Sequence, residues 1–213
     1  MQDKNKKIFY KNQAETIIKK LEARKMEGYY ADDIKEAIDK ALQLIGEASK
    51  NVAYGGSMTI DNSDLKERIK KAGHNLIVRE NYKTPEEIKE LNRLTINADT
   101  FLMSTNAITL DGELINIDGR GNRVCYLIYG PEQVLIIAGM NKVVASIEDG
   151  IRRIKNFSSP SNTVRLNCNT PCATTGRCGN CLQETICCEE VVTRASRVPG
   201  RIKVILVGEE LGY

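Results

Sequence analysis

Between Asn106 and Arg123 the chain reads NAITLDGELINIDGRGNR, and this stretch concentrates side chains able to bind or transform a ligand. Asp111, Glu113 and Asp118 are of the type that takes up and releases protons as general acid or base. Lys142, which follows a buried run within Gly139-Met140-Asn141-Lys142, completes the candidate catalytic set and pairs with Arg123 as an anion clamp. A second constellation is Gly55-Gly56-Ser57-Met58-Thr59, where glycines let the backbone approach a ligand and Ser57 or Thr59 adds a hydroxyl at a positive helix end. It suits phosphate, pyrophosphate or carboxylate. It has neither the Walker lysine nor the GxGxxG spacing, and plain turn formation is the competing use of its glycines. The candidate ligand-binding residues are Gly55, Gly56, Ser57, Thr59, Asn106, Asn116, Gly121, Asn122, Arg123 and Asn141. Against this stands a purely structural use, since Asn and Asp at turns often bond their own backbone.

The third constellation is thiol-rich. Six of the seven cysteines lie between Cys168 and Cys188, in the pattern Cys168-x3-Cys172-x5-Cys178-x2-Cys181-x5-Cys187-Cys188. In a reducing compartment such clustering argues against a disulfide framework. Four thiolates joined by short loops suit a zinc ion or an iron–sulfur cluster, with Cys172, Cys178, Cys181, Cys187 and Cys188 as candidate metal ligands and no preference between the last two. The pattern is neither a paired zinc knuckle nor the bacterial ferredoxin run. A Cys178–Cys181 redox pair, or thiols packing as small hydrophobes, are the alternatives. Cys125 reads as a core residue and the one histidine, His74, as a surface or strand-edge side chain rather than part of a serine triad.

The elements that must hold these groups alternate. Ile8, Ala14, Ile17, Ile18 and Leu21 recur at helical spacing, Gly28 interrupts, and Ala31-Asp32-Asp33 opens a second helix with Ile34, Ala37, Ile38, Ala41, Leu42 and Ile45 on one side. Both helices are expected on one face of a sheet. Val52–Tyr54, Leu76–Val78, Thr100–Met103 and Val134–Ala138 read as strands, and Thr84-Pro85-Glu86-Glu87 marks a capped helix start. Asp111-Gly112 between alternating runs predicts a hairpin with a type I′ turn. A short helix over Val124–Ile128, a helix over Ile147–Ile154, and closing strands at Val191-Val192 and Ile202–Val207 complete the pattern. The alternation specifies an α/β fold: three layers, with a mostly parallel sheet flanked by helices. Ligands in such sheets bind beyond the carboxyl ends of strands, and Gly55, Asn106 and Gly139 each follow one. One shared crevice is therefore expected.

The 213 residues suit one domain over 1–213, with N-terminal helices in 1–48 and the cysteine segment at 166–190 inside it. A net charge of +3 is too small to argue for a nucleic-acid partner, and the lysines near the start of the chain share a helix face with Glu15, Glu22 and Glu27 as a solvated surface. No apolar run approaches a membrane span and no signal-peptide core opens the chain, so a cytoplasmic location is expected.

The residues quoted, together with Tyr129-Gly-Pro and the closing Val207-Gly-Glu-Glu-Leu-Gly-Tyr, resemble the lactate-utilisation (LUD) domain family in its short stand-alone form, from about the second helix to the C-terminus. The resemblance implies a ribose-5-phosphate isomerase/CoA-transferase-like fold. It implies a part in lactate or related organic-acid utilisation, with a small anionic metabolite as ligand and oxidoreductase subunits of an iron–sulfur-containing system as partners. A homo-oligomer is compatible with it. Longer relatives carry ferredoxin-type cysteine runs that this chain lacks. The competing expectations are a non-enzymatic, metal-binding accessory subunit and, by fold analogy, a sugar-phosphate isomerase or CoA transferase.

Overall fold

The computed structural model describes residues 3–213; the first two residues of the expected 1–213 domain and of its 1–48 helical segment lie outside it. The helices are α1 (Lys4–Ala23), α2 (Ile34–Ile45), α3 (Met58–Asp61), α4 (Leu65–Lys71), α5 (Pro85–Ile96), α6 (Asn122–Ile128), α7 (Ile147–Arg153), α8 (Ser159–Arg165) and α9 (Pro171–Thr175). The strands are β1 (Glu27–Ala31), β2 (Asn51–Tyr54), β3 (Asn75–Leu76), β4 (Thr100–Met103), β5 (Ala107–Thr109), β6 (Leu114–Asp118), β7 (Gln133–Gly139), β8 (Val143–Val144), β9 (Glu189–Thr193) and β10 (Ile202–Val207).

Six strands in the order β1-β10-β7-β4-β2-β3 pair in parallel throughout. The central strands β7 and β10 are continuous apolar runs because both faces are covered. In register, Val134, Ile136, Val204 and Leu206 face one layer, and Leu135, Ile137, Ile205 and Val207 the other. The first layer receives Tyr10, Ala14, Ile17 and Leu21 of α1, and the second receives Ala37, Ile38, Ala41 and Ile45 of α2. The two N-terminal helices therefore cover opposite faces, not one. The reason is β1, a half-buried edge strand that the sequence pattern does not reveal, which lies between them and forces the chain across the sheet. Gly28 sits in this strand against α1: a Cβ there would stand 3.0 Å from the Ile18 Cα.

Local signals set the helix starts. Asp33 accepts from Glu36 N at 2.9 Å at the head of α2, Thr84 and Glu87 form the reciprocal capping box of α5 with Pro85 in its first turn, and Ser146 accepts from Asp149 N at the head of α7. α7 runs through a π-helical turn, Ile154–Ser158, directly into α8.

A second sheet, in the order β8-β5-β6-β9, rests on α7 through Ala107, Ile115, Ile117 and Ile154. β9, expected to close the main sheet, instead pairs antiparallel with β6. The β5–β6 hairpin is present, with a different turn. Gly112 N donates to Thr109 O and Thr109 N to Glu113 O, both at 2.9 Å, and only Gly112 has positive φ (+85°). This is a three-residue type I turn closed by a left-handed glycine, not the two-residue type I′ turn.

One further expectation is corrected, and the strand-edge alternative for His74 is the one found. Cys125 is exposed on α6, since it faces away from the apolar side made by Val124 and Leu127. His74 is buried at the sheet edge, where its Nδ1 accepts from Lys50 N at 3.3 Å.

Candidate functional site

The carboxyl ends of β2, β4, β7 and β10 open onto one cavity of about 520 Å³, within the range of small-molecule sites. Gly56 and Ser57 reach it from β2, Ser104, Thr105 and Asn106 from β4, Lys142 from β7 and Gly212 from the segment after β10; the β6–α6 corner adds Asp118, Asn122 and Arg123. A crevice beyond these strand ends is present; of Gly55, Asn106 and Gly139, Asn106 lines it.

Arg123 is the rivet of this corner. Its Nε donates to Asp118 Oδ1 at 2.9 Å, Nη1 to Ser104 O at 3.0 Å and Asn116 Oδ1 at 2.8 Å, and Nη2 to Asn106 Oδ1 at 2.7 Å and Ile117 O at 3.2 Å. Asp118 Oδ2 accepts from Arg123 N and Val124 N at 3.0 and 3.1 Å, fixing the start of α6 after Gly121. Asn106 and Asn116 lock the hairpin by accepting from Ile117 N and Asn106 N respectively. Arg123 is therefore not a free anion clamp and Asp118 not a free base: Asp118 spends its oxygens on Arg123 and Val124, and Arg123 its guanidinium on Asp118, the Asn106 and Asn116 amides and nearby backbone. Together they tie the end of β6 to the start of α6 and to the exit of β4.

Lys142 is different. It sits in a 3₁₀ turn (Met140–Lys142) after β7, is buried, and makes one hydrogen bond, to Ser104 Oγ at 2.9 Å. Burial, reinforced by the Arg153 and Arg123 guanidiniums, lowers its pKa to about 7. Arg153 donates to Asn141 O, Asn106 O and Ser158 Oγ, so the π-helical turn that carries Ser158 is tied to the same wall. Arg79, whose Nη1 lies 3.1 Å from the Cβ position of Gly56, and Arg120 and Arg165 bring further positive charge to the cavity. Asp118, already neutralised by Arg123, is the acidic side chain facing these cations among the described residues. Ser57 Oγ, Thr59 Oγ1 and Asn116 Nδ2 are buried without a hydrogen-bond partner.

The remaining expected residues divide. Asn122 lines the cavity, and Asn141 orders its floor by accepting from Leu211 N at 3.0 Å. Gly55 packs behind it against Arg123 and Phe101. Ser57 precedes only one turn of helix and caps nothing with its side chain, so the helix-end argument for this loop fails while its hydroxyl stays available. Asp111 and Glu113 are not at the cavity. They lie at the other end of the hairpin, where Asp111 pairs with Lys20 at 3.2 Å and Glu113 with Arg24 and the Thr109 hydroxyl. Sequence reasoning missed Arg79, Ser104, Arg153, Ser158 and Arg165. Ser104 alone carried a readable signal, as the first residue beyond a buried strand.

Among the candidate metal ligands, Cys172, Cys178, Cys181 and Cys187 line a second cavity of about 170 Å³. Cys188 is exposed and turned away, its backbone N–H donating to Asp118 O at 2.9 Å as β9 begins. Among the described residues, no three Cys, His, Asp or Glu side chains stand close enough to share one metal ion.

The model of the LUD domain matches residues 14–207. The chain belongs to the LUD domain family. The match runs from within α1 to the last residue of β10 and takes in the thiol-lined cavity and all of the first cavity's lining but Gly212 and Tyr213. A crystal structure of a DUF162 family protein from Deinococcus radiodurans is similar to this LUD-domain chain at 17% identity, covering 94% of this chain and 98% of that one, with a TM-score of 0.49. No curated protein matches it. Among the described residues, no helix is long and apolar enough to cross a membrane.

Proposed function

We propose that this LUD-domain protein binds a small organic anion, a carboxylate or phosphorylated metabolite, in the cavity at the carboxyl edge of its main sheet, and serves lactate or related organic-acid utilisation. The observation that carries the reading is the charge imbalance around the buried Lys142. Arg79, Arg120 and Arg165 converge with it on one hollow whose carboxylate, Asp118, is already neutralised. An anion entering there restores the proton that burial removes from Lys142 and offers acceptors to the Ser57 hydroxyl. The same reading makes the protein cytoplasmic, gives its sheet the ribose-5-phosphate isomerase/CoA-transferase-like class and sets it beside oxidoreductase subunits.

An isomerase or transferase role would need an uncommitted proton carrier or nucleophile at the cavity. Both Asp118 oxygens are engaged, which leaves Lys142 as the group able to exchange a proton near neutral pH. Binding is therefore the function the geometry supports first.

The test is thermal stabilisation of the full chain across lactate, pyruvate, other small carboxylates, sugar phosphates and CoA thioesters. At least one anion should raise Tm in a concentration-dependent way, and Lys142→Ala should abolish the rise. A panel in which no anion stabilises the protein overturns the reading.

A further inference from the structure

Beside the Lys142 amine stands a glycine. A methyl placed on Gly212 would lie 3.6 Å from Lys142 Nζ and 3.0 Å from Thr59 Oγ1, so the bare Gly212 backbone leaves room next to that nitrogen. Gly212 and Lys142 both line the anion cavity. We infer that Lys142 Nζ condenses with the carbonyl carbon of a 2-oxo acid held in this cavity. The inference rests on the anion reading and deepens it by naming the class of anion.

The surroundings of Lys142 are those of a nucleophile. A buried ammonium that serves structure has a carboxylate beside it. Lys142 instead has a hydroxyl, Ser104 Oγ at 2.9 Å, and the like charges of Arg153 and Arg123. Those guanidiniums are fixed by bonds to Asp118, Asn106, Asn141 and Ser158, so they stay where they oppose a second positive charge. An amine so placed is driven toward its neutral form, the form that attacks carbonyl carbon. With its pKa near 7, about half of the chains hold free amine at neutrality, against fewer than roughly one in a thousand for an ordinary lysine.

The rest of the cavity selects a carbonyl that carries its own carboxylate. Ser57 Oγ and Thr59 Oγ1 are buried without a partner and can donate to a carboxylate one bond away from the reacting carbon. Arg79, Arg120 and Arg165 supply positive charge around it, and Arg165 is engaged by a neutral amide, Asn162 Oδ1, at 2.7 Å. In the condensation Nζ forms a bond to the carbonyl carbon and the carbonyl electron pair moves to oxygen. That oxygen leaves as water, with Ser104 Oγ placed to pass a proton, and a carbon–nitrogen double bond remains. No oxidant or reductant takes part. Protonated, the product carries the charge the ammonium would have borne, and the ligand's own carboxylate balances it. A 2-hydroxy acid has no carbonyl carbon to offer and can only bind.

The test incubates the full chain with pyruvate, 2-oxobutyrate or 2-oxoglutarate in turn, with sodium cyanoborohydride to reduce the double bond, and follows intact mass and peptide maps. At least one acid should add its own mass less one oxygen atom to Lys142, at pH 7 at least about tenfold faster than to any other lysine. The rate should rise between pH 6 and pH 8, lactate should add nothing, and Lys142→Met should lose the label while circular dichroism shows it folded. Thermal stabilisation by these acids without label at Lys142, or label spread evenly over the lysines, would overturn the covalent role and leave anion binding standing. Neither label nor stabilisation with any anion would overturn both.

Discussion

Lys142 Nζ donates to Ser104 Oγ at 2.9 Å, and this bond joins the carboxyl ends of the adjacent strands β7 and β4 across the floor of the cavity. The ammonium is enclosed by protein and flanked by two guanidiniums, which gives it two measurable consequences.

The first concerns pH. The folded-state pKa of Lys142, about 7, lies below its ordinary 10.5, so between those values the unfolded chain holds a proton that the native chain has released. Stability contributed by this group therefore rises with pH from about 7 to 10.5, and below 7 the burial penalty is present in full. Anion binding runs the other way. It re-protonates the amine, so affinity should fall by roughly tenfold per pH unit above 7 until the pKa of the bound form is passed. Titration calorimetry in buffers of different ionisation heat would register the proton uptake, and an affinity flat from pH 7 to 9 would refute it.

The second concerns Lys142→Met. Replacing a buried cation by an apolar side chain of similar length should stabilise the protein at pH 6 by on the order of 1 kcal/mol or more while abolishing anion binding. Urea unfolding at pH 6 and pH 9 measures both the gain and the loss of the pH dependence assigned to this group.

Arg123→Lys should be costly although it conserves charge. Lysine cannot reproduce the fork that serves Asp118, Asn116, Asn106 and Ser104 together, and each acceptor left unpaired in the buried corner carries a desolvation penalty. A loss of about 3–5 kcal/mol in urea unfolding is expected.

Asp111→Ala should be nearly silent. Its side chain and that of its partner Lys20, an ammonium, are both more than half exposed, so stability should change by less than about 0.5 kcal/mol, and anion-induced Tm shifts should match the wild type.

Gly28→Ala tests the contact that sets the first layer. The new methyl would meet Ile18 Cγ1 at 2.8 Å and its Cα at 3.0 Å, and backbone cannot rotate aside. Destabilisation of about 1–3 kcal/mol by overpacking is expected from thermal or urea unfolding.

Much of the fold was legible because it is written locally. The capping box of α5, the Ser146 cap of α7 and the doubly buried runs of β7 and β10 each reveal themselves within a few residues. β1 was not, because an edge strand with half-buried side chains has no strong apolar period, and without it the faces of α1 and α2 were misassigned. For the candidate site, the rule that strand carboxyl ends gather ligand groups put Ser57, Asn106 and Lys142 together, and they line one cavity. The carboxylates were misjudged for a reason of length. A strand rises about 3.3 Å per residue, so β6 carries Asp118 roughly 15 Å from Glu113 at the hairpin tip. Arg79 and Arg165 come from elements whose approach depends on long-range packing that no short motif encodes.

β10 lies between β1 and β7, yet it follows both in the chain. Until Val207 is synthesised, β1 has no partner in the main sheet and β7 presents a bare apolar edge. The nascent polypeptide must shield both margins until then, and any premature stop before residue 202 would release a product open to sticking edge to edge with its own copies.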